Sequence, residues 1–199
     1  INPDFAEAHS NLGNILRDLG QLQDAVLSYR KAIKIKPDFA EAHSNLGNIL
    51  NDLGKLEEAE FSYLRAIEIQ PNFAEAYSNL GSTLKDLGRF KEANTYFKKC
   101  LELDPNNLAY HIQAKLFISQ IPYNQLQIDK ERAEINRQIL LISKNENILY
   151  KNNILPYSID FIYYLAYHNC NNDKEILENI ANCFSRKVGI LNRGFNLKK

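Results

Sequence analysis

Apolar residues in the first half of the chain return at helical spacing, in blocks that themselves return. After Ala8, the positions Leu12, Ile15, Leu16 and Leu19 share one side of a helix, and the run breaks at Leu19-Gly20. A second block, Leu22, Ala25, Val26, Tyr29, Ala32 and Ile33, ends before Pro37. The whole figure is then written twice more. Residues 3–36 read PDFAEAHSNLGNILRDLGQLQDAVLSYRKAIKIK, residues 37–70 read PDFAEAHSNLGNILNDLGKLEEAEFSYLRAIEIQ, and residues 71–104 read PNFAEAYSNLGSTLKDLGRFKEANTYFKKCLELD. A fixed period of about 34 residues belongs to a unit that cannot bury its own apolar face and stacks on copies of itself.

The breakers set the grammar of each unit. Gly20, Gly54 and Gly88 stand where a helix needs a left-handed residue to end, and Pro37, Pro71 and Pro105 each stop the second helix for want of an N–H. Small residues mark close helix approach at Ala8, Gly13, Ala25 and Ala32, repeated at Ala42, Gly47, Ala59 and Ala66. The pattern predicts an antiparallel helix pair in each unit. The expected fold is therefore all-α: a superhelical solenoid of about three full repeats and a degenerate one, with a helical C-terminal extension.

On these residues the chain resembles the tetratricopeptide repeat (TPR) family. The family's pattern of aromatic, Leu-Gly, large, Ala, aromatic and Pro falls on His9, Leu12-Gly13, Leu16, Ala25, Tyr29 and Pro37. It falls again on His43, Leu46-Gly47, Leu50, Ala59, Tyr63 and Pro71, and on Tyr77, Leu80-Gly81, Leu84, Ala93, Phe97 and Pro105. The departures are His at the first aromatic in two units and Leu for the usual Tyr.

Residues 105–120 keep the phase of a fourth first helix but lose the Leu-Gly, as a terminal unit with one unpartnered face is expected to. Residues 126–143 are expected to form an amphipathic helix, with Ile128, Ala133, Ile135, Ile139, Leu140 and Ile142 on or near the side that covers the solenoid end. Residues 145–153 read as a loop and 154–168 are dense in aromatics. The expected division is a solenoid over 1–120, a capping helix and loop over 121–153, and a third segment over 154–199. Within that segment, residues 161–184 (FIYYLAYHNCNNDKEILENIANCF) resemble the linker of bacterial TPR-bearing glycosyltransferases similar to O-linked N-acetylglucosamine (O-GlcNAc) transferase. The repeats' PDFAEAHSNLGN phrasing is similar to the same group. This resemblance implies that 154–199 is a linker and the truncated start of a sugar-transfer region.

Charge and composition narrow the classes. Lys plus Arg and Asp plus Glu are both 24, and no run of 18 residues is apolar, so a soluble chain without a spanning helix is expected. Residues 1–104 hold twelve Lys and Arg against sixteen Asp and Glu, while residues 105–199 hold twelve against eight. Neither half has the dense basic patch with interleaved aromatics that nucleic-acid binding needs. Three scattered cysteines, Cys100, Cys170 and Cys183, favour a reducing compartment, here read as cytoplasmic. Ile1-Asn2-Pro3 copies the end of a unit and the chain has no Met, so further repeats upstream are expected.

The chemistry-bearing pattern is a polar stripe on every first helix: Glu7, Ser10, Asn11, Asn14 and Asp18; Glu41, Ser44, Asn45, Asn48 and Asp52; Glu75, Ser78, Asn79, Ser82 and Asp86. In TPR superhelices the first helices line the concave surface. Asn both donates and accepts, so stacked Asn can grip an extended peptide backbone whatever its side chains. The O-GlcNAc transferase resemblance implies an asparagine ladder of this kind at Asn11, Asn45 and Asn79, with Asn14, Asn48, Glu7, Glu41 and Glu75 beside it. The alternative is that near-identical repeats copy their Asn passively on a face that any exposed helix would keep polar.

Other candidates reduce to packing. His9 and His43 fill the aromatic slot, His111 and His168 share no metal-ligand spacing, although the transferase resemblance implies a place for His168 at the entrance to a sugar-transfer domain, and Cys170 and Cys183 lack a Cys-x-x-Cys partner. Tyr157, Phe161, Tyr163, Tyr164 and Tyr167 could stack on a sugar, but an aromatic run is more often core. No phosphate loop, nucleophile elbow or triad order occurs. The expectation is a chain without catalytic residues, cofactor or metal, and without nucleic acid or membrane as partner. It binds extended segments of partner proteins, as the docking arm of an O-GlcNAc transferase-like glycosyltransferase or, alternatively, as a stand-alone adaptor.

Overall fold

The computed structural model describes residues 5–115, 125–145, 178, 179 and 182. All elements among them are helices, and two compact units divide the chain, Ile1–Leu103 and Asp104–Lys199.

The first unit is three helix hairpins: α1 (Ala6–Asp18) with α2 (Leu22–Ile35), α3 (Ala40–Asp52) with α4 (Leu56–Ile69), and α5 (Ala74–Asp86) with α6 (Phe90–Leu103). Each first helix starts after a non-helical Phe (Phe5, Phe39, Phe73) that offers no side-chain cap, and a Glu in the first turn complements the positive helix end instead. Each ends as its glycine predicts. Gly20, Gly54 and Gly88 take φ of +75°, +72° and +75°, and the next N–H reaches back to Leu16, Leu50 and Leu84 carbonyls at 2.8 Å. That return bond is the Schellman closure, open to glycine without Cβ strain.

Within a hairpin, glycine again decides the approach. A Cβ placed on Gly13, Gly47 or Gly81 would lie 2.6 Å from the ring of Tyr29, Tyr63 or Phe97, so only a hydrogen there admits the aromatic. Those rings are buried, as are Ala25, Ala32, Ala59, Ala66 and Ala93 on the second helices. Between hairpins, α2 packs on α3 and α4 on α5, and first helices also touch first helices, α1 with α3 and α3 with α5. Second helices approach one another less closely, α2 meeting α4 through the Arg30–Glu58 ion pair at 3.0 Å. The stack therefore curves with α1, α3 and α5 on its inner side, which positions the polar stripe.

The second unit contains α7 (Leu108–Lys115) and α8 (Gln125–Lys144), which pack together. Asn107 caps α7 by accepting the Ala109 N–H at 3.0 Å. His111 Nε2 meets the Pro105 carbonyl at 2.8 Å, repeating His43 Nε2 with the Pro37 carbonyl at 3.0 Å in the second hairpin. The degenerate unit thus keeps the repeat's His–Pro contact after losing its Leu-Gly. On α8 the buried stripe is Arg132, Ile135, Ile139 and Ile142, while Ala133 and Leu140 are exposed. That corrects the expected face: residues 133 and 140 each sit one place, about 100°, off the stripe. The expected features in 154–168, together with His168, Cys170 and Cys183, lie outside the described residues, as does all but three positions of 161–184. Among the described residues no helix is long and apolar enough to cross a membrane.

Candidate binding groove

The structure divides the sequence stripe into two layers. Ser10, Ser44 and Ser78 are buried, so they belong to the helix crossings and not to the open face. The remaining members, Glu, the two Asn positions and Asp, stay exposed or half-buried. Each serine precedes its ladder Asn by one residue, and that 100° turn separates a buried position from an open one.

The second asparagine of each stripe is already engaged. Tyr29 Oη donates to Asn14 Oδ1 at 2.7 Å, and Tyr63 Oη donates to Asn48 Oδ1 at 2.8 Å. In the third hairpin the aromatic is Phe97, with no hydroxyl, and the Asn position is Ser82, which bonds the Ser78 carbonyl at 3.1 Å. Asn goes with Tyr and Ser with Phe. The signal lay in the sequence as a paired change between hairpins, but only the contact explains it. Burial, with Asp52 and Glu75 behind it, pushes the Tyr63 hydroxyl well above its ordinary range, so it remains a donor.

The three ladder residues differ. Asn11 is exposed, Asn45 and Asn79 are half-buried, and among the described residues neither Asn11 nor Asn45 has a side-chain hydrogen bond. Asn79 does: its Nδ2 donates to Asn48 Oδ1 at 2.9 Å, across the boundary from α5 to α3. Beside it Thr83 Oγ1 bonds Asn51 Oδ1 at 3.0 Å and the Asn79 carbonyl at 3.1 Å. Sequence reasoning missed Thr83 and Asn51, which replace Ile49 and Arg17 of the preceding hairpins.

The glutamates differ as well. Glu7 pairs with Lys36 at 3.5 Å, whose ammonium also lies 5.0 Å from the Phe39 ring centre. The positions matching Lys36 are Gln70 and Asp104, so Glu41 and Glu75 lack that cation. Loss of surrounding water, then the Glu41 carboxylate, raises the Glu75 carboxyl above the ordinary range. Glu75 is nonetheless solvent-accessible, so the shift is a modest effect of a concave, protein-lined setting and not of true burial. At the other end of the stripe, partial loss of surrounding water raises the carboxyl of the still exposed Asp52, and Arg17 partly offsets it. Among the described residues no three His, Cys, Asp or Glu side chains converge as metal ligands.

Comparison with known proteins accords with this architecture. Residues 13–50 and 47–88 match the family described as "TPR repeat", and residues 74–107 match "Tetratricopeptide repeat". The crystal structure of MamA is 16% identical and covers 94% of this chain and 81% of its own, with a TM-score of 0.57. The Arabidopsis OM64 TPR domain is 28% identical over 55% of this chain and 91% of its own, with a TM-score of 0.53. The second TPR domain of human RPAP3, solved in complex with the HSP70 peptide SGPTIEEVD, is 25% identical over 55% and 91%, with a TM-score of 0.53.

Proposed function

We propose that this tetratricopeptide-repeat stack binds extended segments of partner proteins along the inner side of α1, α3 and α5, gripping the peptide backbone through Asn11, Asn45 and Asn79. The observation that carries the reading is that the second Asn of the first two stripes is committed to a tyrosine, while Asn11 and Asn45 keep their amides free on the open face. A peptide N–H and C=O are matched by a carboxamide's acceptor and donor, so the grip is tolerant of side-chain identity. The likeness to the RPAP3 domain that holds an HSP70 peptide supports a peptide as the ligand class. Glu41 and Glu75, without a matching cation, disfavour an acidic tail such as SGPTIEEVD and favour neutral or basic segments.

The finer reading is that the groove is the substrate-docking arm of an O-GlcNAc transferase-like glycosyltransferase, with residues 121–153 as cap and 154–199 as linker. The repeat phrasing and the 161–184 string support it. A stand-alone adaptor is the rival reading. Coding sequence for a long α/β region after Lys199 favours the first, and a stop codon the second.

The groove is tested by calorimetry of wild type and Asn11→Ala/Asn45→Ala/Asn79→Ala against an uncharged, end-capped Ser-Thr-Val-Pro peptide at low and high salt. Each lost neutral bond is worth about 0.5–1.5 kcal/mol, so affinity falls about ten- to two-thousand-fold if the losses add. Unchanged affinity in the triple variant ends the ladder reading, and salt-sensitive binding of a Lys-bearing version of the same peptide to both proteins then assigns recognition to Glu7, Glu41 and Glu75.

A further inference from the structure

We infer that Asn48 is a positioning residue that holds Asn79 in its ligand-gripping orientation, making the third rung of the ladder pre-organised and the first two adaptable. The inference rests on the groove reading. Its basis is a relay of contacts crossing one repeat boundary. Gly47 leaves the gap that seats the Tyr63 ring, whose Cε1 would lie 2.6 Å from any Cβ there. The seated Tyr63 hydroxyl fixes the Asn48 carboxamide at 2.8 Å, and Asn48 Oδ1 then accepts one Asn79 N–H at 2.9 Å. Asn79 keeps its other N–H and its Oδ1, the donor and acceptor that one peptide unit needs.

The relay is absent at the equivalent boundary. Asn14 accepts from Tyr29, but among the described residues Asn45 makes no bond to it. The relay also ends at the third hairpin, where Ser82 and Phe97 stand in place of Asn48 and Tyr63. Asn79 alone of the three rungs therefore enters binding with its rotamer already chosen. Immobilising a free side chain on binding carries an entropic cost, and a held rung has already met it on folding. Asn79 then supplies more affinity than Asn45 or Asn11 for the same bonds, and does so only while Asn48 holds it.

The variant Asn48→Ser/Tyr63→Phe copies the pair that the third hairpin tolerates, so it removes the acceptor with little disturbance to packing. Two readouts are taken on the full chain. The first, without ligand, is NMR relaxation of the Asn79 side-chain amide, which is rigid in wild type and mobile in the variant. The second is affinity for the uncharged Ser-Thr-Val-Pro peptide. Asn79→Ala is expected to weaken binding about ten-fold, against about three-fold for Asn45→Ala or Asn11→Ala. Asn48→Ser/Tyr63→Phe weakens it several-fold alone and not at all in an Asn79→Ala background. An Asn79 amide equally rigid in both proteins overturns the inference whatever the peptide does. So does full additivity of the two losses, which would mean Asn48 acts independently of Asn79. Failure of the triple Asn→Ala variant to weaken binding, with the amide still released, condemns the groove reading and the binding role of Asn48 with it.

Discussion

Helices α1 and α3 are written with the same eleven residues, AEAHSNLGNIL, and live in different surroundings. Ile49 is wholly buried, whereas Ile15 is 57% exposed; Leu46 is 7% exposed and Leu12 is 38%. The face that α3 turns to the preceding hairpin has no described neighbour on α1. Identical amphipathic writing therefore specifies a helix and its apolar side, while the place in the stack decides whether that side is dry. In a solenoid, stability resides in interfaces between units as much as in the units themselves.

Truncation on the two helices tests this most severely. Ile49→Ala should cost about 2–5 kcal/mol, the range for a buried aliphatic truncation, and Ile15→Ala no more than about 0.5 kcal/mol. Urea titrations giving equal midpoints for the two variants would remove the basis of the comparison.

Glycine sharpens it. A Cβ at Gly13 or Gly47 meets its own tyrosine at the same 2.6 Å, so the clash itself does not distinguish the helices. The difference lies in relief: α1 has one packed neighbouring hairpin side and can shift, while α3 is held by α2 and α5. Gly47→Ala should lose about 1–3 kcal/mol and Gly13→Ala distinctly less. Thermal melts in which Gly13→Ala is the more damaged protein contradict that account.

The equivalent glutamates give the smallest effect. Glu7 has Lys36 beside it, and Glu75 has only Glu41 and poor hydration. A carboxyl raised by folding binds its proton more readily in the folded chain. Its contribution is therefore most favourable below the ordinary carboxylate range and is lost as pH rises through the elevated value. Glu75→Gln should be slightly more stable than wild type at neutral pH, with a flatter profile through mildly acidic pH, while Glu7→Gln shows no such gain. Stability curves that coincide for wild type and Glu75→Gln from acidic to neutral pH would show that the groove does not dehydrate Glu75.

Much of this could be read from the letters. The helix limits, the left-handed glycines, the Gly–aromatic seats and the placing of Asn11, Asn45 and Asn79 on one stripe all follow from residue chemistry repeated at a fixed period. Those are local or within-hairpin relations, where spacing alone fixes who meets whom. His111 was legible too, since it keeps the phase of His43, yet it was hidden by the loss of the Leu-Gly beside it.

Relations across hairpins were decided only by the tertiary structure. Periodicity gives Ser44 and Asn45 the same polar character, but packing buries one and leaves the other half-open. It gives Asn45 and Asn79 the same slot, but only Asn79 finds an acceptor on the preceding first helix. It writes Ile15 and Ile49 alike, but burial needs a neighbour. A repeated sequence states what each unit offers; which offers are taken up depends on the surface that the adjoining unit brings against it.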